Sequence, residues 1–489
     1  MEQPTTPRVI VIGAGFGGLA VAHHLRAAGI TDITLLERSD DVGGVWRDNT
    51  YPGAACDVPS VLYSWSFARK SDWSHRYARQ PEILDYIRDH AARSGLRDLV
   101  RTGAEVTGAA WDDATARWTV TLATGEELTS DVLVSAVGQL SRPAVPRIPG
   151  LDDFDGPVFH SATWDHDVDL TGKRVGVIGT GASAIQFVPA IAGQVASLTV
   201  FQRSAPYVVP KPDGAYSTRQ QRRFAHHPRL HHLTRRGVFH LSEQLNRTLD
   251  SDGRLAVVLE KAWQLNLRRH VKDADLRAKL VPDYPLGCKR LLFSNDWYPT
   301  LAQPHVDVVT DGVADVEPDG IRTADGTLHE LDVVILGTGF AATEFLAPME
   351  ITGRGGRRLA EAWAGGARAH LGITVPDFPG FYVLYGPNTN LGGSSIIGML
   401  EAQAGYVVRA VLETAARRAP LVVRADRAAA YDEEMQRRLD SSVWSSCTSW
   451  YREPGGRITT NWPGTVAEYQ QRTSAFDPSD FETVAVAAR

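Results

Sequence analysis

Two glycine-rich loops carry the clearest chemical signal in the chain, Gly13-Ala-Gly15-Phe16-Gly-Gly18 and Gly179-Thr180-Gly181-Ala-Ser183-Ala184. Glycines at this spacing, between an apolar strand and a helix, permit a tight turn and let backbone approach a pyrophosphate. The helix start offers free N–H donors and partial positive charge to the phosphates. The end of the next strand differs between the two units. In the first it is Glu37, placed to hydrogen-bond an adenosine ribose. In the second the run is Phe201-Gln-Arg203-Ser204, with no acid and with a guanidinium placed for a 2′-phosphate. That favours NADPH over NADH at the second site. Between the loops runs Phe154-Asp-Gly156-Pro-Val-Phe-His160-Ser-Ala-Thr-Trp164-Asp165. Two nucleotide sites on a fixed connector imply one cofactor held permanently and a second that arrives to reduce it. Flavin-dependent oxygen chemistry rests on that arrangement.

The segment after Glu37 narrows the first nucleotide to FAD. Gly43-Gly44-Val45-Trp46 and Tyr51-Pro-Gly-Ala-Ala-Cys-Asp57 follow in quick succession. An isoalloxazine and its ribityl chain extend past the pyrophosphate and need a covering segment that a plain NAD dehydrogenase does without.

These loops require βαβ units to position them. Arg8–Ile12 reads as a buried parallel strand, a helix runs from about Gly17 to Ala28, and Ile33–Glu37 is the second strand. The layout returns at Arg174–Ile178, a helix to about Ile191, and Ser197–Phe201. Asp131–Gly138 and Asp332–Gly339 echo each other as strands running into glycine turns, and Pro143, Pro146 and Pro149 stiffen an exit linker. The expected fold is α/β, with two Rossmann-like, three-layer ββα dinucleotide-binding domains, the second inserted into the first. The expected boundaries are 1–150 for the first part of the FAD domain, 151–335 for the NADPH domain, and 336–489 for the rest. Leu and aromatic residues at helical spacing from about 215 to 280 predict a helical insertion in the NADPH domain.

Composition sets limits. A chain of 489 residues exceeds one hydrophobic core. A net charge of −6 argues against a nucleic-acid partner. No apolar run reaches the ~18 residues of a membrane span. The first seven residues lack the basic and apolar regions of a signal peptide. Cys56, Cys288 and Cys447 are widely spaced, with no visible disulfide framework or zinc spacing, so a reducing cytoplasm is expected. Cys288 reads as a packing residue and Cys447 as a residue without a partner. The cluster from His226 to His232 is interrupted by Pro228 and reads as a solvated helix face, so no metal is expected. The arginine-rich stretch from Arg219 to Arg236 reads as a charged helix surface.

The connector fits F-x-G-x-x-x-H-x-x-x-W-[P/D], and Gly43 to Asp57 fits G-G-x-W-x-x-x-x-[F/Y]-P-G-x-x-x-D. On these residues the chain resembles the type I Baeyer–Villiger monooxygenases, FAD- and NADPH-dependent enzymes within the wider flavin-containing monooxygenases. The resemblance spans nearly the whole chain, including Gly287-Cys-Lys289-Arg290 and Ser449-Trp450-Tyr451. It implies that Arg290 is the active-site arginine beside the flavin, held by Asp57, and that Lys289 joins Arg203 at the 2′-phosphate. It implies FAD contacts at Phe16, Tyr63, Val106 and Ile396, the last in the run Gly386–Ile396. It implies NADPH contacts at Thr180, Ser183, Gln186 and Ser204, with Trp450 closing over the nicotinamide. Phe154, Gly156, His160, Trp164 and Asp165 would serve domain motion. The implied reaction uses O2 to form a peroxide at flavin carbon 4a, which attacks a ketone and yields an ester or lactone. Other readings stay open: a sulfide or amine oxygenase, an NADPH disulfide reductase, which would need a close pair of redox cysteines, or a binding protein built on the fold. Ala136-Val137-Gly138 and Val58-Pro-Ser-Val-Leu62 depart from the family's usual residues, and the second departure bears on the choice of ketone. Oligomeric state is not legible.

Overall fold

The computed structural model describes residues 6–250, 254–453 and 455–484, with the side chains of all of these except 245–250, 254 and 255. Residues 251–253 of the expected helical insertion lie outside the described residues.

The first parallel sheet is built on β1 (Val9–Ile12), whose four residues are all buried. A central parallel strand is covered on both faces, so its sequence is apolar throughout. β2 (Ile33–Leu36) and β7 (Val132–Ser135) flank β1, pairing Val9 with Ile33 and with Val132. β3 (Val100–Arg101) and β19 (Phe381–Val383) complete the order β19-β7-β1-β2-β3. On one face pack α1 (Phe16–Ala27) and the long helix Ile396–Arg417, which contact one another. The third layer is β18 (Glu350–Thr352), β4 (Val106–Asp112), β5 (Arg117–Leu122) and β6 (Glu127–Ser130), in that order. Two short helices, α2 (Val45–Asp48) and α3 (Gln80–Arg93), sit against each other nearby.

The second sheet repeats the plan. β8 (Val158–His160), β9 (Arg174–Ile178), β10 (Ser197–Phe201), β13 (Val306–Val309) and β17 (Val333–Leu336) run parallel in the order β13-β10-β9-β17-β8. α4 (Ala184–Ile191) follows the second glycine loop. A meander of β14 (Val313–Glu317), β15 (Gly320–Thr323) and β16 (Leu328–Glu330) supplies its small antiparallel sheet. β11 (Val208–Val209) pairs with β12 (Leu292–Phe293). Between them lie α5 (Thr218–His226), α6 (Pro228–Asp250), α7 (Arg254–His270) and α8 (Ala274–Lys279). Ser217 and Gln220 form a reciprocal cap on α5, and Pro228 opens α6, where its fixed φ suits a helix start. No helix among the described residues is long and apolar enough to cross a membrane.

The chain leaves the first sheet and returns to it along adjacent paths. The Ala144 N–H donates to the Gly339 carbonyl at 2.9 Å, and the Thr338 hydroxyl donates to the Ala144 carbonyl at 2.6 Å.

The cysteine reading is corrected. Cys288 and Cys447 form a disulfide, their Cα atoms 6.1 Å apart and their sequence separation 159. Nothing local in the sequence signals a pair so distant, and only the packing of the second core against the C-terminal segment brings the two together. Cys56 remains a buried thiol.

Candidate active site

The first loop is shaped by sterics. A Cβ on Gly18 would lie 1.9 Å from the Gly13 carbonyl oxygen, and Gly13 itself has φ +99°. Gly15 has a different role. A Cβ there would approach only Gly44, at 3.6 Å, so its backbone stays accessible to a phosphate. Glu37 is buried at the mouth of this loop. Its carboxylate accepts the Ala14 N–H at 2.9 Å and the Ser39 N–H at 3.1 Å, and pairs with Arg47 at 3.1 Å. Gly44 has φ +55° and turns the chain into α2, where the Trp46 indole N–H donates to the Tyr63 hydroxyl at 3.0 Å. Phe16 meets Tyr63 and Trp65 edge-on, at 5.5 and 4.7 Å. Val106 begins β4, close to where the Ala104 N–H bonds the Glu37 carbonyl at 2.9 Å. Ile396 is partly exposed at the start of its helix.

The second loop is more open. Gly179 has φ +109°, while a Cβ on Gly181 would meet nothing within 4 Å. The Thr180 hydroxyl donates to the Ser204 carbonyl at 3.2 Å. Lys289 donates to the Ser204 hydroxyl at 3.0 Å and lies 4.3 Å from the centre of the Tyr284 ring. Burial depresses the Lys289 pKa against the pull of the Asp283 carboxylate, and exposed Arg203 adds to the depression. Among the described residues neither cation forms an ion pair with a carboxylate. Ser183 precedes α4. Gln186 turns elsewhere: its amide oxygen accepts from the Tyr51 hydroxyl at 3.2 Å and the Ala55 N–H at 3.1 Å, and its amide nitrogen donates to the Ala55 carbonyl at 3.1 Å.

Adjacent residues serve the two halves of the molecule. Lys289 faces the second loop, and Arg290 reaches to Asp57 beside the first. Arg290 Nε and Nη2 both donate to Asp57 Oδ2, at 3.0 and 2.7 Å. Among the described residues Nη1 has no hydrogen-bond acceptor, and the side chain is 29% exposed. The Asp57 charge raises the arginine pKa further, outweighing burial. Burial opposes the Asp57 charge, but Arg290 together with Lys211 and a backbone hydrogen bond holds the carboxyl below its usual range. The result is a permanent cation with an unused donor, oriented by a carboxylate from the other half.

A family model described as flavin-binding monooxygenase-like matches residues 6–251. A Baeyer–Villiger monooxygenase of Streptomyces coelicolor is 44% identical over 98% of this chain and 92% of its own length. One from Pseudomonas aeruginosa is 42% identical over 97% and 91%. The chain belongs to the Baeyer–Villiger monooxygenase family. Among solved structures, an oxidized steroid monooxygenase bound to NADP aligns with a TM-score of 0.86 at 34% identity, over 98% of this chain and 99% of that one. Cyclohexanone monooxygenase from Rhodococcus sp. Phi1 bound to NADP+ gives 0.88 at 27% identity, over the same shares. The expected pair of Rossmann-like domains agrees with these matches.

In this Baeyer–Villiger monooxygenase the connector is built into the second sheet. Phe154 packs with Val316 and Val334, and a Cβ on Gly156 would lie 2.3 Å from the Asp332 carbonyl oxygen. His160 ends β8, where its Nδ1 accepts the Ala162 N–H at 3.0 Å. Burial lowers its pKa against an opposing hydrogen bond with the Gly339 backbone, on the return crossing. Trp164 meets Phe159 edge-on and Phe187 at a tilt, and Asp165 accepts the Asp167 N–H at 2.9 Å in a tight turn.

Three residues of this site went unassigned in the sequence. Lys211 donates to the Cys56 carbonyl at 2.9 Å and lies over Tyr77, so it grips the loop that bears Asp57. Tyr451 is fully buried, and burial pushes its hydroxyl up to about 12 against the pull of Arg290. Tyr385 sits at φ +56°, its hydroxyl donating to Asn390 at 2.7 Å and its N–H to Gln403 at 2.9 Å. Trp450, 39% exposed, lies 4.3 Å from Tyr451 between ring centres. The Gly-Pro-Asn-Thr-Asn run hinted at positive φ, since Asn tolerates it. Nothing local marked Lys211.

Proposed function

We propose that the chain uses NADPH and O2 to insert one oxygen atom beside a ketone carbonyl, giving an ester or lactone. When bound, FAD supplies the oxygen-activating centre and NADPH the hydride that reduces it. The open backbone at Gly15 with Gly13, Gly18, Glu37 and the Gly44–Trp46 segment suits FAD, alongside Phe16, Tyr63, Val106 and Ile396. Gly179, Thr180, Gly181, Ser183 and Ser204 suit the pyrophosphate and ribose of NADPH. Arg203 and Lys289 suit its 2′-phosphate, and Trp450 its nicotinamide. Gln186, which bonds Ala55, stands beside Ser183 at the start of α4.

The observation that carries the proposal is the Arg290 guanidinium, oriented by Asp57 and with no acceptor for Nη1 among the described residues. Oxygen insertion develops negative charge on the carbonyl oxygen of the substrate. A fixed donor already aimed there stabilises that charge without reorganising at the moment of reaction. Arginine keeps its proton in such a site, and Asp57 fixes its direction through charge-assisted bonds. Tyr385 and Tyr451 line the same region and displace water from it. Rotation about the paired crossings at Ala144 and Gly339, with His160 touching the return strand, lets the second domain shift against the first.

The test is incubation of the purified flavoprotein with NADPH, labelled O2 and a panel of linear, cyclic and aromatic ketones. Labelled ester or lactone is expected from at least one class. If sulfides give sulfoxides while every ketone is returned unchanged, the chain is a heteroatom oxygenase instead.

A further inference from the structure

The helices between β11 and β12 carry a charge and a surface unlike the rest of the molecule. From 218 to 270 the sequence holds eleven Lys and Arg against four Asp and Glu, a net of +7. The whole chain is −6, so the remainder carries −13. Exposed apolar side chains concentrate in the same place. Of nine large hydrophobic side chains exposed among the described residues, five lie on α6 and α7: Leu233, Leu241, Val257, Val258 and Leu265. Leu233, Leu241 and Leu265 are 61, 73 and 71% exposed, the three highest values of the nine.

The two properties alternate on the same faces. On α6, Leu233, Gly237 and Leu241 form one outward ridge at four-residue spacing, and His232, Arg236 and His240 form the ridge beside it. The inward side is fixed. Arg235 donates to the Val61 and Ser64 carbonyls at 2.8 and 2.9 Å, and His231 and Glu243 are buried. On α7, Trp263 and Leu267 are buried, while Val258, Lys261, Ala262, Leu265, Arg268 and Arg269 face outward. Glu260 is half-buried, and no fully exposed carboxylate interrupts either outward face among the described residues.

We propose that the outward faces of α6 and α7 dock on an anionic lipid surface. Helices of this kind lie in the plane of the interface, their aliphatic side chains entering the acyl boundary and their cations meeting the phosphates. The occupant follows from the pairing of the two chemistries. A nucleic acid would engage the arginines and leave the leucines in water. A second copy docking through the same faces would set Arg236, Lys261, Arg268 and Arg269 against cations of their own kind. The proposal goes beyond the oxygenase reading and does not depend on it.

The experiment is cosedimentation of the flavin-loaded full chain with vesicles of phosphatidylcholine alone or mixed with phosphatidylglycerol, at low and high salt. Binding to the mixed vesicles at low salt and release at high salt are expected. Leu233→Gln with Leu241→Gln should weaken that binding by about tenfold or more, as should Arg236→Glu with Arg268→Glu. Val145→Gln, an exposed position elsewhere, should not, and all variants should keep the parent's flavin content and NADPH oxidation in solution. The proposal fails if mixed vesicles bind no better than phosphatidylcholine. It fails equally if the leucine variants bind like the parent. A chain that ignores vesicles but forms a dimer abolished by the leucine variants would overturn it in favour of self-association.

Discussion

The two glycine loops share a backbone and differ in how finished they are. At the first, Glu37 is buried, bonded twice to backbone and paired with Arg47. At the second, exposed Arg203 and partly buried Lys289 raise the local positive potential with no carboxylate pairing them among the described residues. A site whose polar groups are already satisfied costs little to keep assembled and suits a permanent ligand. A site with two cations, of which Lys289 donates to a hydroxyl and neither forms an ion pair among the described residues, suits an anionic ligand that comes and goes. Architecture alone did not make that distinction, because both loops rest on the same strand, turn and helix. A few side chains at the strand ends did.

Glycine substitution offers the strongest way to break the comparison. Gly18→Ala places its Cβ 1.9 Å from the Gly13 carbonyl, a backbone atom that cannot yield cheaply. The purified variant is expected to be colourless or insoluble. Gly181→Ala meets nothing within 4 Å and should stay yellow, with only its NADPH kinetics changed. Flavin absorbance of the two proteins decides the matter, and equal retention would show that the loops are interchangeable.

Next in size is Arg290→Ala. Loss of a preorganised cation should lower oxygen insertion by about 10²–10³-fold. Anaerobic reduction of the flavin by NADPH should change far less, since the hydride step needs no anion stabilised at that position. Stopped-flow reduction set beside ester yield separates the two, and a parallel fall in both would move Arg290 from chemistry to cofactor binding.

How much of this was legible depended on how local each signal was. The loops, Glu37 and Arg203 could be read because a turn and its flanking strands occupy a short stretch of chain. The Arg290–Asp57 pair came from family resemblance, since no rule of spacing joins residues so far apart. Gln186 as a nucleotide contact came from the same resemblance, and nothing in the sequence announced that its amide also bonds Ala55 and Tyr51. Lys211 was invisible, and Tyr451 was quoted without a role, because their roles exist only where the two domains and the C-terminal segment meet. The Cys288–Cys447 disulfide was missed for the same reason, and spacing even argued against it.

That disulfide fastens the core of the second domain to the segment bearing Trp450 and Tyr451, so it tests whether the open half is held as firmly as the closed one. Thiol titration of the denatured, unreduced chain should find one free thiol, Cys56. Cys447→Ser should lower stability by about 2–4 kcal/mol, the usual worth of a bridge across a long loop. Three free thiols in that titration would remove the bridge from the account.

The smallest expected effect is the sharpest probe of the strand-end rule. In the proposed reading, Arg203→Ala removes a charge-assisted contact of about 1.5–3 kcal/mol to the 2′-phosphate. Lys289 remains on the same side, donating to Ser204, and should retain part of the attraction. The Michaelis constant for NADPH should therefore rise about tenfold, the low end of that range. The constant for NADH, which has no 2′-phosphate, should barely move. Adding Lys289→Ala should then carry the NADPH value the rest of the way towards the NADH value. If single and double variants shift both cofactors alike, the cations act as a general anion trap, and discrimination between the two nucleotides lies elsewhere in the site.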